Sequence, residues 1–173
     1  MSLKNFIINK NIKRSIRKTQ FHNFDTAKNI SLLYSIKSED DFSAVKKFAE
    51  DLKNKGFQIN TLAFVLKPEE IGNKYFGQNN DNFFSEKHIS KFGNIKETCI
   101  KDFVNGKTDI LINLCHKKYF CTEYIFAISK AEFKVSGIIG CKYSDLNINL
   151  SEAKDIHFLI EQITYYLSVI KKA

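Results

Sequence analysis

The chain has 173 residues, of which 43% are hydrophobic and 27% charged, with one proline and seven glycines. That length and composition suit one globular domain with its own core, and they exclude a disordered, collagenous or linker-rich chain. Twenty-seven Lys and Arg against 19 Asp and Glu leave a formal net charge of +8, which puts anionic partners first in consideration.

The excess is local. Residues 1–28 hold seven cations, including both arginines, against Asp25 alone, a net of +6, while the rest of the chain carries +2. At 3.6 residues per turn, Lys10, Lys13, Arg14, Arg17 and Lys18 share one helical face, and Ile8, Ile12 and Ile16 form a separate apolar stripe. The spacing predicts a basic amphipathic helix and connector over residues 1–27, ahead of a single domain at 28–173.

Beyond this leader, strands and helices alternate. Ile30 to Tyr34 is a nearly continuous apolar run, as in a strand covered on both faces. Ser38 followed by Glu39, Asp40 and Asp41 is a helix start, and the helix it opens buries Phe42, Val45, Ala49 and Leu52 and stops at Gly56. A strand at Gln58 to Leu66 ends at Pro68. Residues 67–94 read as irregular, with Gly72, Gly77 and a polar run at 78–82, then Phe83-Phe84 as a short buried strand. A helix from Ile95 to Asn105 buries Ile95, Cys99, Ile100, Phe103 and Val104 and ends at Gly106. Then come a strand at Asp109 to Leu114, a helix at Phe120 to Lys130, a strand at Phe133 to Ile138 and a short one at Leu146 to Leu150. The last helix is expected to start at a Ser151 cap, with Glu152 and Asp155 in its first turn. Its buried stripe is Ile156, Leu159, Ile160, Ile163, Leu167 and Ile170. This alternation predicts an α/β fold, a Rossmann-like or flavodoxin-like three-layer sandwich around a mostly parallel sheet.

Ligands of such folds bind at the carboxyl ends of the strands. After the first strand, Ser35 to Asp41 contains no glycine and three consecutive acids, a sequence that repels pyrophosphate. No G-x-G-x-x-G or G-x-x-x-x-G-K-[ST] motif occurs, so no nucleotide cofactor is expected. The segment Cys115, His116, Lys117, Lys118, Tyr119 lies between a strand end and a helix start, and Lys117 and Lys118 are the anion-binding candidates, the alternative being a solvated connection. Cys115, His116 and Cys121 lack the paired short spacings of a zinc site, so no metal is expected. Cys115 and His116, as strand neighbours, point to opposite faces, which argues against a nucleophile–base pair. His22, His88 and His157 stand alone. The four cysteines are irregularly spaced and read as reduced thiols. No apolar run exceeds five residues, which excludes a transmembrane helix, and Phe6-Ile7-Ile8 is too short for a signal-peptide core, so a cytoplasmic protein is expected.

Several segments resemble a small uncharacterised family of Bacteroidota, a domain of unknown function. They are Asn23 to Ile30, Asp41 to Phe48, Phe83-Phe84-Ser85, Lys91-Phe92-Gly93, Asp109 to Leu114, and Tyr124-Ile125 through Phe133-Lys134-Val135, so the likeness spans about residues 20–170. The resemblance implies an α/β fold in a bacterial cytoplasm and supplies no active-site residues.

Three functions follow from these features. The first is a non-catalytic RNA-binding or ribosome-associated accessory protein, with Lys10, Lys13, Arg14, Arg17 and Lys18 against phosphates. The second is a small-molecule or nucleotide-sugar enzyme, transferase-like, using the strand-end loops with Lys117 and Lys118. The third is docking to an anionic membrane surface or a protein through Phe6, Ile7, Ile8, Ile12 and Ile16. A bland reading stands beside all three, in which the isoleucines pack on the domain and the lysines face water.

Overall fold

Asn29–Ile36 carries no charged side chain, and seven of its eight residues are buried. A strand of that kind needs a sheet covered on both faces. The computed structural model describes residues 3–12, 16–66, 82–90, 92–115, 117–138, 140–148 and 155–171, and among these the sheet has six strands with Asn29–Ile36 (β1) at its centre. The others are β2 (Gln58–Val65), β3 (Asn82–Phe84), β4 (Ile110–Leu114), β5 (Phe133–Ser136) and β6 (Leu146–Asn147). Their order is β3-β2-β1-β4-β5-β6, and every neighbouring pair is parallel. This is the Rossmann order and not the flavodoxin order 2-1-3-4-5; the reversal falls between β1 and β4, which pair with Ile30 opposite Ile110.

Five α-helices occur among the described residues: α1 (Leu3–Ile12), α2 (Glu39–Asn54), α3 (Thr98–Asn105), α4 (Phe120–Ile128) and α5 (Ile156–Val169). The two faces of the sheet bury separate cores. Ile30, Leu32, Tyr34 and Ile36 of β1 meet Val45 and Leu52 of α2 and Ile156, Ile163 and Leu167 of α5. On the other face, Leu33, Phe64 and Leu111 meet Ile7 and Ile8 of α1, Ile100 and Phe103 of α3, and Ile125 and Phe126 of α4.

Element boundaries shift from the sequence reading for local reasons. Ile95 forms an antiparallel bridge with Ile89, and the Lys96 N–H donates to His88 O, so α3 starts only at Thr98. The Ile138 N–H turns back to Ser136 Oγ, which ends β5 two residues early. Asp155 caps α5 through the Phe158 N–H; Ser151 and Glu152 lie outside the described residues, as do Pro68, Gly72, Gly77 and 78–81. Phe42, Ile95, Cys99, Ile160 and Ile170 are half-buried, at the margins of the two cores.

The leader departs most. The expected helix across residues 8–18 does not form: α1 ends at Ile12, and residues 16–20 are not helical. Ile7 and Ile8 are core residues against α4, Ile12 is half-buried, and Ile16 is 91% exposed. Without a helix through Arg17 and Lys18, these two share no helical face with Lys10. Lys13 and Arg14 lie outside the described residues.

After residue 16 the leader runs along the amino-terminal edge of the sheet. Arg17 pairs with Asp145 ahead of β6 at 2.5 Å. The Gln20 N–H donates to Glu132 O, and His22 Nε2 lies 2.8 Å from Glu132 Oε2, just ahead of β5. Asp109 Oδ2, ahead of β4, accepts the N–H groups of Lys28 and Asn29. Phe24 meets Phe57 ahead of β2, with ring centroids 5.5 Å apart. The leader is thus a strap joining the strand entries.

Candidate functional site

The reversal of strand order opens the sheet between the carboxyl ends of β1 and β4, and two helix N-termini flank it. The first belongs to α2. Its Ser38 Oγ accepts the Asp41 N–H at 3.1 Å, and Asp41 Oδ2 accepts the N–H groups of Ser38 and Lys37 at 3.1 and 3.2 Å. The place where a dinucleotide fold seats its phosphates is therefore filled by the chain's own carboxylate, with Glu39 and Asp40 beside it.

The second is α4. Tyr119 occupies its N-cap position and no side chain caps it. Lys117 and Lys118 precede it and are both exposed. Lys118 Nζ donates to Gly140 O at 3.2 Å, which ties the turn after β4 to the turn after β5. Lys117 Nζ lies 5.3 Å from the centre of the Tyr119 ring, and that ring packs on Phe64 at 5.0 Å. Gly140 has φ +65°, a backbone conformation that favours glycine. Glu123 lies beside Tyr143 and, after burial, helps push that phenol upward.

The strand end that leads into the turn after β4 is polar and buried. Cys115 is buried, its N–H donates to Asn113 Oδ1 at 3.1 Å, and its thiol faces Thr122 and Ser35. The Ser35 hydroxyl is wholly buried and meets the thiol too loosely for a well-formed hydrogen bond. Burial pushes the Cys115 thiol up to about 12, against the weaker opposing pull of Thr122 and Ser35, so it stays protonated and is no nucleophile at neutral pH. His116 lies outside the described residues.

Arg17 of the leader and the Lys117–Lys118 pair occupy opposite edges. Arg17 lies at the amino-terminal edge, paired with Asp145 and near Thr19 Oγ1, whereas Lys117 and Lys118 lie at the carboxyl edge. Lys10 and Lys18 are exposed. Sequence reasoning missed Lys134, whose Nζ is buried and donates to Ala127 O at 2.9 Å; a lysine inside the apolar run Phe133 to Val135 was the signal.

Fold and edge together define a doubly wound α/β domain whose first strand–helix turn is self-filled and whose turn after β4 carries two exposed lysines. The chain belongs to a family of unknown function, DUF6913, whose model matches residues 4–170. No curated protein and no solved structure matches it. No helix among the described residues is long and apolar enough to cross a membrane.

Proposed function

We propose that this protein is a non-catalytic binding domain for a phosphate-bearing ligand, held at the carboxyl edge by Lys117, Lys118 and the first turn of α4. One contrast carries the reading: of the two helix N-termini at the reversal, α2 is occupied by Asp41 while α4 is uncapped and preceded by two exposed lysines. Backbone N–H groups at such a terminus, with the helix dipole, favour an anion, and lysine supplies the opposite charge. The protonated, buried Cys115 argues for binding rather than covalent chemistry there.

The test is calorimetric titration of the full-length protein with pyrophosphate, a nucleoside monophosphate, a nucleotide sugar and a short single-stranded RNA. At least one should bind, and the K117A/K118A double variant should lose about tenfold or more in affinity, as removal of charge-assisted bonds of about 1.5–3 kcal/mol implies. The melting temperature should fall by no more than a few degrees, because both side chains are exposed and the one bond lost, Lys118 to Gly140 O, is itself exposed. Equal binding by variant and wild type, or no binding of any of the four, rejects the proposal.

An RNA contact through the leader is the second reading, favoured by the exposed Lys10 and Lys18. It requires that RNA affinity fall in K10A/K18A and persist in K117A/K118A. Bilayer docking has less to work with, since Ile7 and Ile8 are spent in the core and Phe6 and Ile16 are left exposed.

A further inference from the structure

At the edge opposite the lysines, three ligand-type side chains from distant segments converge. His22 comes from the leader strap, Asp109 from the entry to β4, and Glu132 from the entry to β5. One imidazole nitrogen and one oxygen of each carboxylate all lie within 4.8 Å of one another. His22 and Asp109 are buried, while the Glu132 side chain is 31% exposed, which leaves a way in from solvent.

We propose that His22, Asp109 and Glu132 form a binding site for a first-row divalent cation, of which Zn2+ fits best. Two buried or half-buried carboxylates this close repel each other unless a cation lies between them. Among the described residues no Lys or Arg forms an ion pair with either, and a single imidazole is their counter-charge. One nitrogen and two oxygens make a three-ligand set of the kind zinc takes, with a fourth position for water. The nitrogen favours zinc over magnesium or calcium, which prefer all-oxygen sites.

The ligands are already oriented. Asp109 Oδ2 is engaged by Lys28 N–H at 2.7 Å, Asn29 N–H at 2.8 Å and Asn29 Nδ2 at 3.2 Å, so Oδ1 is the oxygen left to ligate. Burial raises the Asp109 carboxyl, but those donors and His22 outweigh it and hold the group below its ordinary value, so it is a carboxylate at neutral pH. His22 Nδ1 lies 3.4 Å from Thr26 Oγ1, a partner that sets the ring and leaves Nε2 to face Glu132. Backbone bonds brace all three segments: Glu132 N–H to Thr108 O, Gln20 N–H to Glu132 O, and Asp109 N–H to Asn29 O. Such outer partners are what fix a metal ligand set. Tetrahedral ligands about 2.1 Å from a cation lie about 3.4 Å apart, so the three need side-chain adjustments of about an ångström. On binding, the cation takes the place of the hydrogen bond between His22 Nε2 and Glu132 Oε2, and the proton of that bond is released to solvent.

The full-length protein, stripped with a chelator, is titrated with Zn2+ by calorimetry and melted with and without it; Mg2+ and Ca2+ are run in parallel. One equivalent of Zn2+ should bind and raise the melting temperature, with no such rise from Mg2+ or Ca2+. E132Q should weaken Zn2+ at least about tenfold. Wild-type protein loaded with Co2+ should show ligand-field bands without a thiolate charge-transfer band, which separates this site from the four free cysteines without relying on a variant. No bound Zn2+, equal Zn2+ affinity in E132Q, an equal melting rise with Mg2+ or Ca2+, or a thiolate band would each overturn the proposal, leaving a proton-bridged network.

Discussion

Lys134 shows what burial does to a single group. Its side chain stands on β5 facing α4, with Nζ on the Ala127 carbonyl and 5.7 Å from the centre of the Phe126 ring. Burial first, then the positive charge of Arg17, lower its pKa to about 7, while Asp145 and Cys141 pull the other way. The sign follows from the proton count. Below about pH 7 the lysine is charged in both states and its buried charge weakens the fold, while between about 7 and 10.5 the unfolded chain binds the extra proton, so stability rises with pH. K134M removes this titration. From pH 7 to pH 9 the wild type should gain on the order of 2 kcal/mol relative to K134M, measured by denaturant unfolding of both at each pH. A difference that stays flat across that range would show that Lys134 titrates normally. Sequence could flag a lysine between two buried strand positions, but its fate depended on how the preceding helix α4 folds back over β5 to place Ala127 and Phe126 against it.

Among the elements, α1 is the one whose role changed. Its Ile7 and Ile8 are core residues of the α3–α4 side, with Ile8 fully buried. I8A should therefore cost about 2–5 kcal/mol, the range for opening a cavity at a buried aliphatic site, read as a drop in denaturant midpoint at unchanged slope. A change within 0.5 kcal/mol would mean that α1 does not hold to the domain. Removing residues 1–20 to test the leader's charge would destabilise the domain for the same reason, whereas K10A/K18A leaves the packing alone. Elements with their own local signals were legible: Ser38 and Asp41 form the capping box over α2, Gly56 at φ +93° stops it, and β1 was visible as an uncharged run. The leader was misread because a four-residue isoleucine step fits one long stripe on paper. The chain instead spends Ile7 and Ile8 inside and leaves Ile16 exposed. The exposed position of Lys117 and Lys118 after β4 was legible from their place after an apolar run. The approach of Ser35 to Cys115 came from a pairing across the sheet that spacing cannot express, whereas the self-filled α2 terminus rests on local bonds within residues 37–41.

At the scale of the molecule, the strap along the strand entries and the open edge at the strand exits divide the labour of the sheet. Backbone and side-chain bonds close the strand entries, while Lys117 and Lys118 stand exposed at the strand exits. The order β3-β2-β1-β4-β5-β6 puts the central strand first in the chain and pairs it with one that begins 80 residues later, Ile30 with Ile110. A chain ending at residue 108 lacks β4, β5 and β6, leaves one side of β1 bare, and should show no cooperative thermal transition by circular dichroism; a sharp transition would show that the first half folds alone. During synthesis at about 5–20 residues per second, β1 waits about 4–16 s for β4. For that interval the nascent chain carries an uncharged strand with an unsatisfied edge, the kind of segment that aggregates or is held by a chaperone. The most secure strand of the finished protein is thus the most vulnerable one on the ribosome.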